Sequence, residues 1–409
     1  MKRIILDTQS NRHFRGVPLE QMYDQRGGPC QLDDTGIVIT TEPIDPEWLE
    51  YWQGLGFTLP QFFTAGPFDP DYTLSQLVLR NSALQEKIRA SVNGEPSRLE
   101  FFCIEESERR VAEALGIPAY CNFDVAIPLS RKPAFKRFFN EIGLRTPWWL
   151  SCRNIKDLAS CGETLVQSGS FLVKAQDGTG GIACGGMVRI QNAAELAALV
   201  GQQPNFGDEF MVEEIVDCAT EVSIHWEMLA DGQIRLINIF EQLSRNFGYA
   251  GAVWPSQGIS EITKQQICHE AKTILWPALR KLGAIGFFCC DILVDKIGMP
   301  WWVDFNPRKG AILYVHDLVR RLSEKHAGQS HGYFRHEHFH LPERTRPWSF
   351  MEIRQILADI LTPGHPAFAV VSNPGVIPYG YCDVTGISWV SAEAAEARFQ
   401  EAKRRLMYD

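Results

Sequence analysis

Two acidic residues and an amide lie in an apolar part of the chain near residue 300. The segment reads FFCCDILVDKIGMPWWVDFNPRKG and contains Asp291, Asp304 and Asn306. The runs FCCDILV and MPWWVDFN are rich in β-branched and aromatic residues and are separated by a short turn with a glycine, so they predict two adjacent antiparallel strands. Buried carboxylates that meet across a hairpin repel each other unless a cation neutralises them. Because Mg²⁺ prefers hard oxygen ligands, the pattern predicts a magnesium site formed by these three side chains.

Arg308 follows on the same face of the second predicted strand, two residues after Asn306. A guanidinium at this position is suited to an anionic substrate or intermediate. The alternative interpretation of the segment is an edge hairpin with solvated acids and a helix-capping asparagine, because isolated acidic residues of strands are often exposed.

A second informative segment is FLVKAQDGTGGIACGGMVRI, in which Lys174 ends a predicted strand and five glycines follow before the next strand. A glycine-rich turn can bring backbone N–H groups close to phosphate oxygens. No GK[ST] closes the turn, so it is not a P-loop, and it lacks the last glycine of GxGxxG and opens no helix. The pattern predicts a flexible lid over a triphosphate, and the alternative is a loose hairpin tip.

Taken in chain order, with the glycine-rich segment before the hairpin, the two segments resemble the ATP-grasp ligases. The resemblance rests on a lysine at a strand end before a glycine-rich hairpin, on the stretch EEIV about forty residues later, and on D…D-x-N-x-R. It extends from about Lys132 to Arg308. It implies the ATP-grasp fold, with ATP bound between two lobes and Mg²⁺ at the acids.

The resemblance also implies roles for two lysines and for the glycines. Lys132 matches the first lysine that contacts the ATP phosphates, and Lys136 is its rival for that role. Lys174 matches the second such lysine, on the floor of the cleft. The lid is assigned to three glycines of the turn, Gly178, Gly180 and Gly181.

The nucleoside end of ATP is assigned to the segment MVEEIVDCATEV. The stretch that begins at Glu213 is similar to the hinge that receives adenine, largely through backbone groups of Glu214 and Val216. Glu221 is placed like the acid that binds the ribose hydroxyls, and Thr220 is one position away.

The two acids and the asparagine of the hairpin match the magnesium ligands of the family, with Asp304 in place of the commoner glutamate. Arg308 matches the arginine that faces the acyl phosphate. The chain departs from ligases of the D-alanine–D-alanine type in one respect, because Cys289 stands where they carry an arginine. Stabilisation of a tetrahedral intermediate is therefore assigned to Arg308 or to another residue such as Arg245.

The activity that the resemblance implies is ATP-dependent ligation of a small carboxylic acid to an amine, such as an amino acid or a peptide, through an acyl phosphate. Three alternatives stay open: transfer of the activated acid to a thiol of a carrier protein, an ATP-binding protein without ligase turnover, and a kinase. The complete set of lysines and metal ligands disfavours the protein without turnover.

Composition limits the classes of protein that the chain could represent. The chain has 409 residues, 45% hydrophobic and 22% charged, so we expect two to four folded lobes. A net charge of −9 without a basic block argues against a nucleic-acid partner. No run of eighteen apolar residues occurs, so we expect no membrane span and a cytoplasmic location. The eleven cysteines are expected to be reduced, and a homodimer is left open.

The expected fold class is α/β, with α+β lobes in the ligase part. We expect an N-terminal α/β pre-ATP-grasp domain over residues 1–127, a small lobe with the lid over 128–208, a central lobe with the metal site over 209–345, and a C-terminal segment over 346–409. A helix is predicted from Ser130, as its N-cap, to Ile142.

Two features of the C-terminal part carry further predictions. His336, His338 and His340 alternate, so in a strand they would share a face. They are interpreted as solvated or substrate-contacting, with a transition-metal site as the alternative. The stretch NPGVIPYGYCDVTG could line an acceptor pocket, and it is similar to the tail of peptide ligases from natural-product pathways.

Overall fold

The computed structural model describes residues 1–8, 22–28, 35–177, 186–328, 331–363 and 365–408. Within these ranges the strands form three sheets, of four, eight and four strands. The predicted mixture of α/β and antiparallel lobes is confirmed.

The N-terminal sheet is parallel and has the order β3-β2-β1-β4. Its strands are β1 (Lys2–Leu6), β2 (Ile37–Thr40), β3 (Gln61–Thr64) and β4 (Ser97–Phe101). The β1 and β2 segments are apolar and largely buried, as strands covered on both faces must be. Strand β3 is short and half polar.

The N-terminal helices are α1 (Pro46–Gly54), α2 (Leu74–Arg80), α3 (Ser82–Val92), α4 (Glu106–Leu115) and α5 (Phe123–Leu129), with a 3-10 helix over Met22–Gly27. Helices α2 to α5 pack on this sheet, whereas α1 packs on the eight-stranded sheet. The next helix, α6 (Lys132–Glu141), corrects the prediction that Ser130 caps it. Ser130 instead follows α5 and donates to the carbonyl of Ile127 at 2.8 Å. Pro133 sets the actual start of α6, because proline is favoured in the first helical turn.

A small antiparallel sheet follows, with the order β5-β8-β6-β7. Its strands are β5 (Trp149–Cys152), β6 (Phe171–Lys174), β7 (Met187–Ile190) and β8 (Phe210–Glu214), and its helices are α7 (Ile155–Ser168) and α8 (Ala193–Gln202). Lys174 ends β6, as predicted. The predicted lid residues Gly178, Gly180 and Gly181 lie outside the described residues.

The largest sheet has the order β13-β12-β9-β10-β11-β14-β16-β15, and its described pairings are antiparallel. Its strands are β9 (Cys218–Met228), β10 (Ile234–Arg245), β11 (Gly248–Trp254), β12 (Gly286–Asp295), β13 (Pro300–Asn306), β14 (Tyr333–His340), β15 (Ala367–Val371) and β16 (Tyr381–Ser388). The associated helices are α9 (Glu261–Glu270), a π-helical turn over Ala271–Leu275, α10 (Trp276–Lys281), α11 (Ala311–His326), α12 (Phe350–Ile356), a 3-10 turn over Ile377–Tyr379, and α13 (Ala392–Tyr408).

Hydrophobic cores lie on both faces of this sheet. On one face, Phe135 and Phe139 of α6 pack with Trp302 of β13. On the other face, the core includes Trp48 of α1, whose indole N–H donates to the carbonyl of Val371 at 3.0 Å. The N-terminal lobe is therefore packed directly onto the large sheet, which fixes its position relative to the β12–β13 hairpin.

The domain boundaries remain predictions. The predicted boundary after residue 208 precedes β8, which pairs within the small sheet. The predicted boundary after residue 345 separates β14 from β15 and β16, which belong to the same sheet. Of the helices in the described ranges, none is both long enough and apolar enough to cross a membrane.

The close approach of β11 to β14 makes Gly251 sensitive to substitution. A Cβ atom at Gly251 would lie 2.0 Å from the carbonyl oxygen of His336. We expect Gly251→Ala to destabilise the protein by about 2 kcal/mol or more, because backbone must shift to relieve the clash. Thermal melting would show a lower Tm, whereas Gly201→Ala, in open space on α8, should not lower it. An unchanged Tm for Gly251→Ala would contradict the β11–β14 register.

Candidate active site

The β12–β13 hairpin places the two predicted acids opposite each other. Asp291 is the direct partner of Asp304, and Cys289 is the partner of Asn306. The predicted antiparallel hairpin is thus confirmed. Gln242 of β10 reaches across β9 and donates from Nε2 to Asp291 at 2.6 Å.

The electrostatics of this pair indicate a cation site. Burial, and then the charge of Asp304, raise the pKa of Asp291 to about 7. Lys132 Nζ lies 3.0 Å from both carboxylate oxygens of Asp304 and already supplies one positive charge. The adjacent Asn306 adds a neutral oxygen, which accepts from Arg308 at 2.9 Å. This hard-oxygen donor set with excess negative charge fits Mg²⁺, which Asp291, Asp304 and Asn306 would hold.

A buried ion triad lies beside the acids. The carboxylate of Glu213, 2% exposed, accepts from Lys174 and lies 2.6 Å from Nζ of Lys136. Lys136 also donates to the carbonyl of Trp302 at 3.3 Å. Burial lowers the pKa of Lys136 to about 8, although Glu213 opposes that shift. Burial would raise the pKa of Glu213, but the two lysines hold it below its ordinary value.

The predicted ATP residues meet around one cavity of about 170 Å³. Lys132 lines this cavity, whereas its rival Lys136 does not and is fully buried. The lining also contains apolar side chains and the predicted nucleotide and metal residues: Leu172, Lys174, Glu213, Glu214, Ile215, Val216, Glu221, Asp291, Leu293 and Asp304. The hydroxyl of Ser244 donates to Glu221. Most of the predicted set is therefore brought together, although the roles of its members stay predictions.

The arginines are placed differently from each other. Arg308 donates to Asn306 and, at 3.3 Å, to the carbonyl of Lys309, and its guanidinium lies 4.1 Å from the ring centre of Phe102. Arg245 instead forms an ion pair with Glu337, and neither arginine lines the cavity. Of the two, Arg308 is the one that contacts a predicted metal ligand, Asn306.

The alternating histidines lie on β14, with His336 buried and His340 exposed. His336 Nδ1 is 2.9 Å from the hydroxyl of Thr385. Within the ranges that the structure describes, no group of three or more His, Cys, Asp or Glu side chains could hold a metal ion. The alternative of a transition-metal site is therefore not supported there.

Sequence reasoning missed the ion partner of the lysines and two polar residues of the cavity, Gln242 and Tyr249. A glutamate in the apolar run FMVEE was a usable signal for Glu213, because buried carboxylates are normally paired. No comparable signal marked Gln242, which is brought to Asp291 by strand order alone.

Comparison with protein-family models and with curated protein sequences finds no match. Solved structures do match along nearly the whole chain. The N5-carboxyaminoimidazole ribonucleotide synthetase from Thermus thermophilus has a TM-score of 0.59 at 16% identity, covering 100% of this chain and 99% of its own. The L-amino acid ligase from Bacillus licheniformis has a TM-score of 0.58 at 17% identity, and the match covers 99% of this chain and 97% of the ligase.

A third similar structure is the biotin carboxylase domain of the Hydrogenobacter thermophilus 2-oxoglutarate carboxylase, in complex with MgADP, ADP and bicarbonate. Its TM-score is 0.61 at 13% identity, covering 98% of this chain and 89% of its own. These structures have the ATP-grasp fold, and this chain therefore has the same fold, as the resemblance implied.

The ion triad predicts an asymmetric response to mutation. Glu213→Gln leaves two buried lysines without their counter-ion, so we expect a loss of about 3–5 kcal/mol in unfolding free energy. Adding Lys136→Met should recover part of the loss, because it removes one uncompensated charge. Urea denaturation measures both effects, with Glu163→Gln on the exposed face of α7 as control. A change below about 1 kcal/mol for Glu213→Gln would disprove the triad.

The raised pKa of Asp291 predicts a stability that depends on pH. Because the folded-state pKa of about 7 exceeds the ordinary 3.8, stability from this group is complete below about pH 4 and declines as pH rises through 7. In EDTA, Asp291→Asn should therefore raise the Tm at pH 8, raise it less at pH 5, and change it little at pH 4. Melting curves of this variant and of the exposed control Asp71→Asn test the prediction. A lower Tm at pH 8 would contradict the like-charge repulsion.

Proposed function

We propose that the protein is an ATP-dependent ligase that activates a carboxylic acid as an acyl phosphate and joins it to an amine. The observation that supports this most is a cavity of about 170 Å³ that is lined by two facing acids, two lysines and apolar side chains, with Arg308 beside Asn306 on the same hairpin. The proteins with similar structures include a ligase and a carboxylase domain solved with MgADP, which is consistent with the same use of ATP.

The chemistry follows from the weakness of a carboxylate as an electrophile. A carboxylate oxygen attacks the γ-phosphorus of ATP, the bond to the β–γ bridging oxygen breaks, and ADP leaves. The amine nitrogen then attacks the acyl carbon, phosphate leaves with its bonding electrons, and the nitrogen loses a proton to solvent. The products are an amide or peptide, ADP and phosphate. No covalent intermediate with the protein is needed.

The charged side chains at the cavity complement the negative charge that develops during these steps. Lys132 and Lys174 would offset the negative charge of the transferred phosphoryl group, and in-line placement supplies much of the remaining effect. Magnesium bound at Asp291, Asp304 and Asn306 would add further positive charge at the phosphates. Arg308, whose described hydrogen-bond partners are neutral oxygens, would contact the acyl oxygen.

The other end of the cavity suits a nucleoside. Leu172, Ile215 and Leu293 provide apolar surface for a base. The backbone of Glu214 and Val216 lies at the rim between the small and the large sheet, where it can contact the edge of adenine. Glu221 is half-buried and can accept hydrogen bonds from ribose hydroxyls.

The proposal is tested by incubation of the protein with Mg-ATP and pooled carboxylic acids and amines. We expect release of ADP and phosphate with a condensed product identified by mass. Lys174→Met and Asp304→Asn should lower turnover by at least about 100-fold, because each removes charge at the transferred phosphoryl group. Lys281→Ala and Asp71→Asn, both exposed, are the matched controls.

The outcomes separate the alternatives. ADP release with the phosphate retained on the acceptor would indicate a kinase, and a product formed only with a thiol-bearing carrier would indicate thioester formation. Nucleotide binding without any turnover would indicate a binding protein. Full activity in Asp304→Asn would show that the site is assigned to the wrong residues.

A further inference from the structure

The turn between β10 and β11 holds an aromatic residue in a backbone conformation that favours glycine. Arg245 is the direct partner of Gly248, so Asn246 and Phe247 form a two-residue hairpin turn. Their φ angles are +50° and +60°, as a type I′ turn requires, and glycine is the preferred residue at the second position. The left-handed conformation brings the Cβ atom of any other residue too close to a carbonyl oxygen. The backbone at Phe247 is therefore strained.

Burial does not account for a phenylalanine at this position. Phe247 is 38% exposed and is one of the exposed large apolar residues of the described chain. Single exposed apolar residues are ordinary on protein surfaces, but a bulky residue with a positive φ is not. Strained residues of this kind cluster at sites that bind ligands or perform chemistry. The contacts of the ring therefore indicate why it is there.

The ring lies at the candidate nucleotide cavity. Phe247 lines that cavity together with Ser244 and Tyr249 of the two strands that the turn joins. These three residues belong to the large sheet. The small sheet contributes Leu172 of β6 and Met187 of β7 to the same lining. Phe247 thus lies on the large-sheet side of the space between the two sheets.

A cation of the small sheet contacts the ring across this space. The guanidinium of Arg189 lies 5.8 Å from the ring centre of Phe247, within the range of a cation–π contact. Arg189 is the direct partner of Leu172 in the β6–β7 pair, and direct partners share a face of a sheet. Because Leu172 lines the cavity, Arg189 lies on the cavity face of the small sheet. The contact therefore bridges the two sheets beside the cavity.

A bridge at this place has a use in the proposed reaction, because water destroys an acyl phosphate. Water attacks the acyl carbon, the bond to the phosphate oxygen breaks, phosphate leaves with the bonding electrons, and a proton passes to solvent. The acid is regenerated and ATP is hydrolysed without a product. Lys174 and the acids Asp291 and Asp304, where the acyl phosphate would form, line the same cavity as Phe247. An apolar ring at the opening would keep water from them.

We propose that Phe247, supported by Arg189, closes the opening of the cavity between the small and the large sheet and keeps water from the acyl phosphate. This inference rests on the proposed function and adds a water-excluding residue to it. The turn loses stability by holding phenylalanine instead of glycine, and the enzyme gains selectivity for the amine over water. Such a trade of stability for activity is common at functional sites.

The first test separates strain from packing. Phe247→Gly and Phe247→Asn should each raise the Tm by about 1 °C or more, because glycine and asparagine tolerate the left-handed conformation. Leu282→Gly is the matched control, since Leu282 is 47% exposed with a φ of −79°, so glycine relieves no strain there and should not raise the Tm. A lower Tm for both Phe247 variants would show that the ring stabilises the fold and would overturn the inference.

The second test measures the loss of ATP to water. The full chain is incubated with Mg-ATP and a pool of L-amino acids and short aliphatic carboxylic acids, with and without hydroxylamine as the acceptor amine. The ratio of ADP release without hydroxylamine to ADP release with it reports the share of acyl phosphate that water captures. We expect Phe247→Gly to raise this ratio by about 10-fold or more.

Further variants show whether the bridge between the sheets matters. Arg189→Met keeps the apolar stem and removes the cation, so it should raise the same ratio by about 3-fold. Phe247→Asn should act like Phe247→Gly. Leu282→Gly and Arg153→Met, both at exposed positions, are the matched controls and should leave the ratio unchanged.

The results distinguish failure of this inference from failure of the proposed function. An unchanged ratio in both Phe247 variants would refute the closure but leave an acyl-phosphate ligase. Loss of ADP release under both conditions in a variant that still melts cooperatively would assign the ring to nucleotide binding and would also refute the closure. Absence of acid-dependent ADP release from the wild type would refute the ligase proposal together with the inference.

Discussion

The carboxylate of Glu213 connects the two sides of the candidate nucleotide cleft. Glu213 lies on β8 of the small sheet, Lys174 lies on β6 of the same sheet, and Lys136 lies on α6, which packs on the core of the large sheet. A buried carboxylate without these cations would be strongly unfavourable, and so would either lysine without the carboxylate. The ion triad therefore links the small sheet to the helix that packs on the large sheet.

The same ion triad determines which lysine faces the cavity. Because Lys136 is engaged by Glu213 and by the carbonyl of Trp302, Lys132 is the residue of α6 that reaches Asp304. The two positions are four residues apart in the helix, about one turn, so they lie on one face of the helix but at different depths. The triad thus leaves Lys132 and Lys174 at the cavity, where the proposed reaction needs positive charge.

The N-terminal lobe and the last strands of the large sheet form the side of the candidate site that lies away from the proposed nucleotide position. Trp48 and Tyr51 of α1 donate to the carbonyls of Val371 and Leu361, so this lobe is anchored to the C-terminal part of the chain. The anchoring brings the carboxyl edge of β1 and β4 next to Arg308. Fold similarity to a synthetase, a ligase and a carboxylase domain leaves the substrate of this chain open.

The sequence predicted well those parts that are local in the chain. The β12–β13 hairpin, with Asp291 opposite Asp304, was predictable because a short glycine turn and alternating side chains fix its register. The strand end at Lys174 was predictable for the same reason. The Ser130 cap was predicted wrongly because a local proline outweighed the capping preference of serine.

The amino-acid sequence by itself thus determined the hairpin that pairs Asp291 with Asp304, the position of Lys174 at the end of β6 and the ATP-grasp resemblance, because strand periodicity and turn chemistry act over a few residues. Only the tertiary structure decided that Glu213 pairs with Lys136 and that Gln242 reaches Asp291 across β9. These groups are far apart in the chain and meet through strand order and the packing of separate lobes. Burial then sets their charge states, which no local pattern encodes.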